Sequence, residues 1–176
     1  YYTIADWYNT YKWYKKAARL GHKPSQDFLS KNGMSWIDVD SSEYELTRIA
    51  EYYRLVGNLS KKKEIIDKLI KLKPDDENYY FYLAQTERQK GNYVDAITIL
   101  EKSINISPEF VDAHGELGFI YHRLDNHDKS IQHFSKFFEI LEGKGVTKFP
   151  NYSLFSSYIA SSYLKLKNYS KAIEYS

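Results

Sequence analysis

Gly91-Asn92 recurs at a fixed interval, and that interval limits what this chain can fold into more than any other feature. Gly57-Asn58 lies 34 residues earlier, Asp125-Asn126 lies 34 later, and Lys167-Asn168 lies 42 beyond that. Other ladders keep the same register. Small residues step through Ala50, Ala84, Gly118 and Ala160, with branched residues just before them at Ile49, Leu83, Leu117 and Ile159. A third ladder runs Tyr53, Glu87, Tyr121, Tyr163, and a fourth Lys62, Ala96, Ser130, Ala172; Pro74 and Pro108 share the step. Periodicity of this length marks an array in which each repeat is one supersecondary unit and neighbours bury a thin shared core.

Residues 77–108 show what one unit is. Tyr80, Leu83, Ala84 and Glu87 follow the i, i+3, i+4, i+7 spacing of one helix face, and Ala96, Leu100, Ser103 and Ile104 follow it again after the Gly-Asn pair. Gly91-Asn92 tolerates positive φ, so the two helices fold back on each other, and Pro108 ends the second. The unit is a helical hairpin. Small residues are needed where its two helices cross, because a larger side chain holds their axes apart. Gly118→Leu is therefore expected to unfold the third repeat.

A 34-residue helix-turn-helix period resembles the tetratricopeptide repeat (TPR) family. The resemblance covers residues 43–176, as repeats of about 43–76, 77–110 and 111–152, the last with an insertion, and a truncated 153–176. It implies an all-α fold, a right-handed α-solenoid of stacked hairpins. Two positions depart from the pattern: Lys62 stands where the family has Ala, and Glu87 where it usually has an aromatic. Lys61-Lys62-Lys63 also opposes the dipole at a helix N-terminus, so the first repeat is expected to be the looser one. The 42-residue step places eight extra residues between Asn126 and Pro150, as a longer helix or a loop near 142–150.

Residues 1–42 read as a helical segment and connector. Residues 1–22 give one amphipathic helix with Ile4, Tyr8, Tyr11, Tyr14 and Ala18 near one side, closed by Gly21. The string Trp13-Tyr14-Lys15-Lys16-Ala17-Ala18, then Gly21-His22 and Gln26 to Leu29, resembles a Sel1-like repeat, a relative of the TPR. The pattern breaks at Lys31-Asn32-Gly33-Met34. The connector that follows is expected to be pinned by Trp36 and Ile37, and Ser41 or Ser42 to cap the next helix with Glu45 in a capping box.

Composition narrows the function. Of 176 residues, 25 are basic and 23 acidic, a net charge of +2 that implies no polyanion partner. The basic excess in residues 1–31 reads as a solvated helix face. No apolar run is long enough to cross a bilayer, so no membrane insertion is expected. The chain begins at Tyr1 and stops at Ser176 inside a helix pattern, which reads as a piece of a longer protein. A cytoplasmic location is expected, with periplasmic or secreted placement left open.

No catalytic role is assigned. There is no Cys, GxSxG or HExxH, and Gly143-Lys144-Gly145-Val146-Thr147-Lys148 follows a helix, unlike a phosphate loop. His114, His122, His127 and His133 crowd together, yet no pair has i, i+4 spacing and His114 lies on a different predicted helix from His127 and His133. They read as packing or solvent histidines; no metal and no cofactor is expected.

In stacked hairpins the first helix of each unit faces a groove. The groove residues are expected to be Tyr44, Thr47, Glu51 and Arg54; Asn78, Phe81, Gln85 and Arg88; Asp112, Gly115, Phe119 and His122, with Arg123 beside it; and Leu154, Ser157, Ser161 and Leu164. Arg54, Arg88 and His122 repeat in register and could hold carboxylates or carbonyls of an extended peptide; the alternative is that the arginines pair with Glu51 and Asp112 and keep the groove soluble. Thr47, Glu51, Tyr82, Asp112 and Glu116 occupy the positions where TPR clamps for acidic chaperone tails carry Lys and Asn, which argues against such a clamp. The leading function is a protein-protein interaction scaffold that binds a peptide or protein segment. The alternatives are an accessory, substrate-selecting or dimerising region of a larger enzyme, and self-association through the truncated C-terminal repeat.

Overall fold

A computed structural model describes residues 4–32, 34, 43–146 and 152–176. Among them are ten α-helices and no strand. Trp36, Ile37, Ser41, Ser42, Thr147, Lys148 and Pro150, to which the sequence reading gave roles, lie outside the described residues. None of the described helices is long and apolar enough to cross a membrane. The chain divides into two compact units, Tyr1–Asp75 and Asp76–Ser176.

The first unit holds α1 (Ile4–Arg19), α2 (Lys23–Lys31), α3 (Glu43–Leu55) and α4 (Leu59–Leu72), with α1 on α2, α3 on α4 and α1 on α3. Its core is rich in tyrosine: Tyr8, Tyr11, Ala18, Leu29, Met34 and Ile49 are buried together. Tyr8 stacks on Tyr52 at 4.0 Å, and its hydroxyl meets that of Tyr53 at 3.1 Å. The amphipathic face expected for the first helix is the buried one, since Tyr8, Tyr11 and Ala18 are 7%, 5% and 1% exposed.

The second unit holds α5 (Glu77–Gln89), α6 (Tyr93–Ile106), α7 (Val111–Arg123), α8 (His127–Gly143), α9 (Tyr152–Lys165) and α10 (Tyr169–Glu174). These pair as α5·α6, α7·α8 and α9·α10, while α5 touches α7 and α7 touches α9, so the three first helices form one layer. One buried cluster runs from Ala84 through Leu100 to Leu117 and Tyr121; another joins Phe134, Phe137, Phe138, Leu141 and Ile159. At 17 residues α8 exceeds α4 and α6, at 14 each, so part of the inserted length extends that helix.

Four hairpins turn by one hydrogen-bonded device. Gly57, Gly91, Asp125 and Lys167 have φ of 71°, 87°, 56° and 59°. The amide of the following asparagine then donates to the carbonyl five residues back, from Asn58 to Tyr53, Asn92 to Glu87, Asn126 to Tyr121 and Asn168 to Tyr163, at 2.8–2.9 Å. This is the Schellman closure of a helix. The third sequence ladder is thus the row of acceptors for these bonds. Asn58, Asn126 and Asn168 go on to cap the next helix by accepting from the amides of Lys61, Lys129 and Lys171.

Asn92 breaks the rule, and Glu87 is the reason. The Asn92 side-chain amide donates to Glu87 Oε2 at 2.7 Å and makes no cap bond. Glu87 is buried, with Lys90 Nζ 3.3 Å from its Oε1, so a carboxylate placed where the other units have tyrosine draws polar partners inward. Lys62, the other departure, is 5% exposed in the alanine ladder. The Arg54 hydrogen bond is the main cause of the lowered Glu51 pKa and the Lys62 charge adds to it, while the lysine buries its stem where the other units have a small side chain.

The small ladder does what close approach requires. Ala84 is 0% exposed, and Ser130, opposite Gly118, donates its hydroxyl to the Gly118 carbonyl at 2.9 Å. A β-carbon on Gly118 would meet the Phe134 ring at 2.7 Å.

Candidate functional site

The first-helix layer of the second unit frames a cleft of about 320 Å³. From α5 come Phe81, Gln85 and Arg88; from α7 come Asp112, Gly115, Glu116 and Phe119; from α9 come Leu154, Phe155 and Tyr158. Phe137 of α8 also reaches it. It does so because Gly115 has no side chain: a β-carbon there would lie 3.2 Å from Phe155 and 3.3 Å from Phe137. The glycine opens a window through the first-helix layer, and two rings that meet edge to face at 4.9 Å fill it.

Charge in the cleft is mostly self-satisfied. Arg88 Nε donates to Glu116 on the neighbouring helix, and the guanidinium lies over Phe119, 5.3 Å from the ring centre. Both charges are partly buried, which makes the pair hard to separate. Asp112 has no such partner among the described residues. Desolvation by the surrounding protein raises its carboxyl pKa even though the side chain sits at an exposed rim.

Phe81, Gln85, Arg88 and Phe119 therefore meet in one cleft, together with the expected Asp112, Gly115 and Leu154, whereas Asn78, Ser157, Ser161 and Leu164, expected from the same helices, do not line it. His122 does not line it. The His122 ring packs 4.8 Å from Tyr158 and its Nδ1 faces Ser162 Oγ at 3.2 Å, while Arg123 is exposed at the end of α7. Glu51 and Arg54 belong to the first unit, where Arg54 forks onto Glu51 at 2.7 and 2.6 Å. That hydrogen bond holds the Glu51 carboxyl below its ordinary pKa and the Arg54 guanidinium above its own. Of the two arginine pairings weighed from the sequence, Glu51 with Arg54 is present, whereas Arg88 takes Glu116 and not Asp112.

Three cleft residues are absent from the expected groove: Phe137, Phe155 and Tyr158. They come from places a first-helix periodicity does not weigh, namely a second helix and the aromatic side of α9. The available signal was Gly115, a residue without a side chain at a groove position.

The histidines pack, but closer together than their spacing along the chain implies. Lying on different helices does not separate them, since the α7–α8 hairpin brings His114 Nδ1 within 3.3 Å of His133 Nδ1. His114 Nε2 lies 3.0 Å from the Pro108 carbonyl and donates to it, so His133 donates to the bare Nδ1 of His114. The rings of His122 and His127 form a second pair 6.0 Å apart. Among the described residues, no group of three or more His, Asp or Glu side chains could hold a metal ion.

The family model described as TPR repeat matches residues 84–125, and the one described as tetratricopeptide repeat matches residues 111–140. No curated protein matches the sequence. A crystal structure of MamA is similar over 99% of this chain and 91% of its own, with 20% identity and a TM-score of 0.65. A second MamA crystal structure is similar over 75% and 68%, with 21% identity and a TM-score of 0.63. An O-GlcNAc transferase mutant of Thermobaculum terrenum is similar over 67% of this chain and 21% of that one, with 18% identity and a TM-score of 0.55. At such identities the likeness establishes the fold. Two overlapping family models and the small, branched and turn ladders seated in the hairpin cores agree that residues 84–140 carry tetratricopeptide repeats.

Proposed function

We propose that the chain is a protein-interaction scaffold and that the α5–α7–α9 cleft holds a peptide segment of its partner. The observation that carries this is the cleft itself, a concave surface with the partly exposed rings of Phe81, Phe119 and Phe155 on its walls and buried Phe137 beneath them. Exposed aromatic surface of this kind gains most by taking another apolar side chain out of water. With Arg88 engaged by Glu116, the charge left open is that of Asp112, so an apolar segment carrying a nearby Lys or Arg fits better than an acidic one. Neither arginine of the expected pair is free to receive a carboxylate without giving up its glutamate. Arg54 and Glu51 in the first unit serve solubility in this reading.

The scaffold itself performs no catalysis, stays in the cytoplasm and, at a net charge of +2, binds no nucleic acid. Its N-terminal hairpin is read as a Sel1-like unit. A second reading, an accessory region of a larger enzyme, is supported by the recurrence of the fold in 21% of the length of an O-GlcNAc transferase.

A displayed peptide library selected on the protein tests the cleft, with affinities then measured by fluorescence anisotropy. Phe119→Ala and Tyr158→Ala are expected to weaken selected peptides by about tenfold or more. Asp112→Asn is expected to remove any preference for a basic residue. Selected peptides that bind parent and both aromatic variants equally would show that recognition lies elsewhere.

A further inference from the structure

A second cavity, in the first unit, has a chemistry of its own. Trp7, Thr10, Tyr11 and Tyr14 of α1, Phe28 of α2, Met34 and Arg48 of α3 enclose about 380 Å³. That is within the roughly 300–1,000 Å³ of small-ligand pockets. Its walls are preassembled rings: Trp7 stacks on Tyr11 with centroids 5.3 Å apart and planes 1° from parallel, and Tyr14 stacks on Phe28 at 4.2 Å.

One wall is charged and incompletely satisfied. The Arg48 guanidinium sits over the Trp7 ring, 4.8 Å from its centre, and Arg48 Nε is buried with no hydrogen-bond partner. The acid one turn earlier on the same helix, Glu45, is 0% exposed and receives the Tyr11 hydroxyl at 2.5 Å. Burial and that bond raise the Tyr11 pKa, so the phenol stays a donor and Glu45 stays engaged. A buried cationic N–H without an acceptor is costly, and such groups are normally completed by water or an anion. A phenyl-sized apolar space beside an unfilled guanidinium donor suits a ligand with both parts.

We infer that this cavity is a binding site for an aromatic carboxylate, with the ring held between Trp7, Tyr14 and Phe28 and the carboxylate accepting from Arg48. Free aromatic acids and the C-terminal carboxylate of a peptide ending in Phe share this chemistry. The site is independent of the α5–α7–α9 cleft, and no residue of one lines the other.

The test titrates the protein with 3-phenylpropionate and with its amide, and with Ala-Ala-Phe bearing a free or an amidated C-terminus. The Trp7 indole and Arg48 Nε–H signals are followed by NMR. At least one acid is expected to bind about tenfold more tightly than its own amide, reflecting a charge-assisted hydrogen bond, and to shift both signals. The acid that binds more tightly identifies the source. Arg48→Gln is expected to bring the acid-to-amide ratio to about one without lowering the melting temperature, because it removes an unsatisfied donor. Arg48→Lys keeps a charge without the planar fork and is expected to retain a reduced preference for the acid, which keeps the test open if Arg48→Gln fails to fold. Equal affinity for acid and amide, an acid preference unchanged in Arg48→Gln, or no shift of Trp7 with either acid would overturn the assignment.

Discussion

Gly118→Ala is the sharpest probe of why these hairpins close. The new methyl would lie 2.7 Å from Phe134 Cδ1 and 2.8 Å from Cε1 and Cγ, closer than a β-carbon can approach ring atoms. Phe134 cannot swing aside cheaply, since it is fully buried, packed at a tilt against Phe155 at 4.9 Å and stacked on Tyr158 at 5.8 Å. Overpacking of this kind costs about 1–3 kcal/mol. Alanine regains about 1 kcal/mol of helix propensity over glycine, leaving a net loss near 1 kcal/mol and a melting temperature lower by about 2–4 °C for a chain of this size. One repeat earlier the same two positions hold Ala84 and Leu100, packed in one cluster. Small residue and large neighbour are therefore matched in pairs, and Gly118→Ala/Phe134→Leu recreates the earlier pair in the third hairpin. Phe134→Leu alone should cost about 1–2 kcal/mol in lost contacts. The double variant should be at least as stable as Phe134→Leu, with a coupling energy of about 1 kcal/mol or more. Urea unfolding followed by circular dichroism measures all three. A Gly118→Ala chain as stable as the parent, or strictly additive losses, would refute the argument from close approach.

Acid should loosen the third hairpin. Burial first, then the charges of His114 and Lys129, depress the His133 pKa to about 4, and burial lowers that of His114 as well. The unfolded chain then takes up protons first, so stability is complete above about pH 6.5 and is lost as pH falls toward 4, by about 2 kcal/mol once partial exposure of the ring is discounted. Melting temperature against pH should show this fall, and His133→Phe, which keeps the stack on Tyr121, should flatten it. Asn126→Ala should cost about 1 kcal/mol through its lost cap. Asn92→Ala should cost more, because buried Glu87 loses its amide partner, and the order would reverse if the asparagines acted alike. Lys167→Gly should stabilise by up to about 1 kcal/mol, since a lysine at φ 59° carries a strain glycine does not; a lower melting temperature would count against it.

The hairpins were legible in the amino-acid order because every device that makes them is local and repeats. A residue at positive φ followed by Asn, a small residue over a branched one, and apolar spacing at the helical period all sit within one unit, so a 34-residue step exposes them without knowledge of any neighbour. Even the departures at Lys62 and Glu87 were visible as departures. What each became depended on the tertiary structure: Lys62 is buried in the small-residue ladder, and Glu87 diverts Asn92 from its cap. Periodicity reports the face a side chain occupies and is silent about what stands across the gap. The pairing of Arg88 with Glu116, the rings that enter past Gly115, the meeting of His114 with His133 and the unanswered donor of Arg48 were each settled by how helix axes approach one another. Distances of a few ångströms between residues 19 to 40 positions apart come from packing, and no pattern along the chain encodes them.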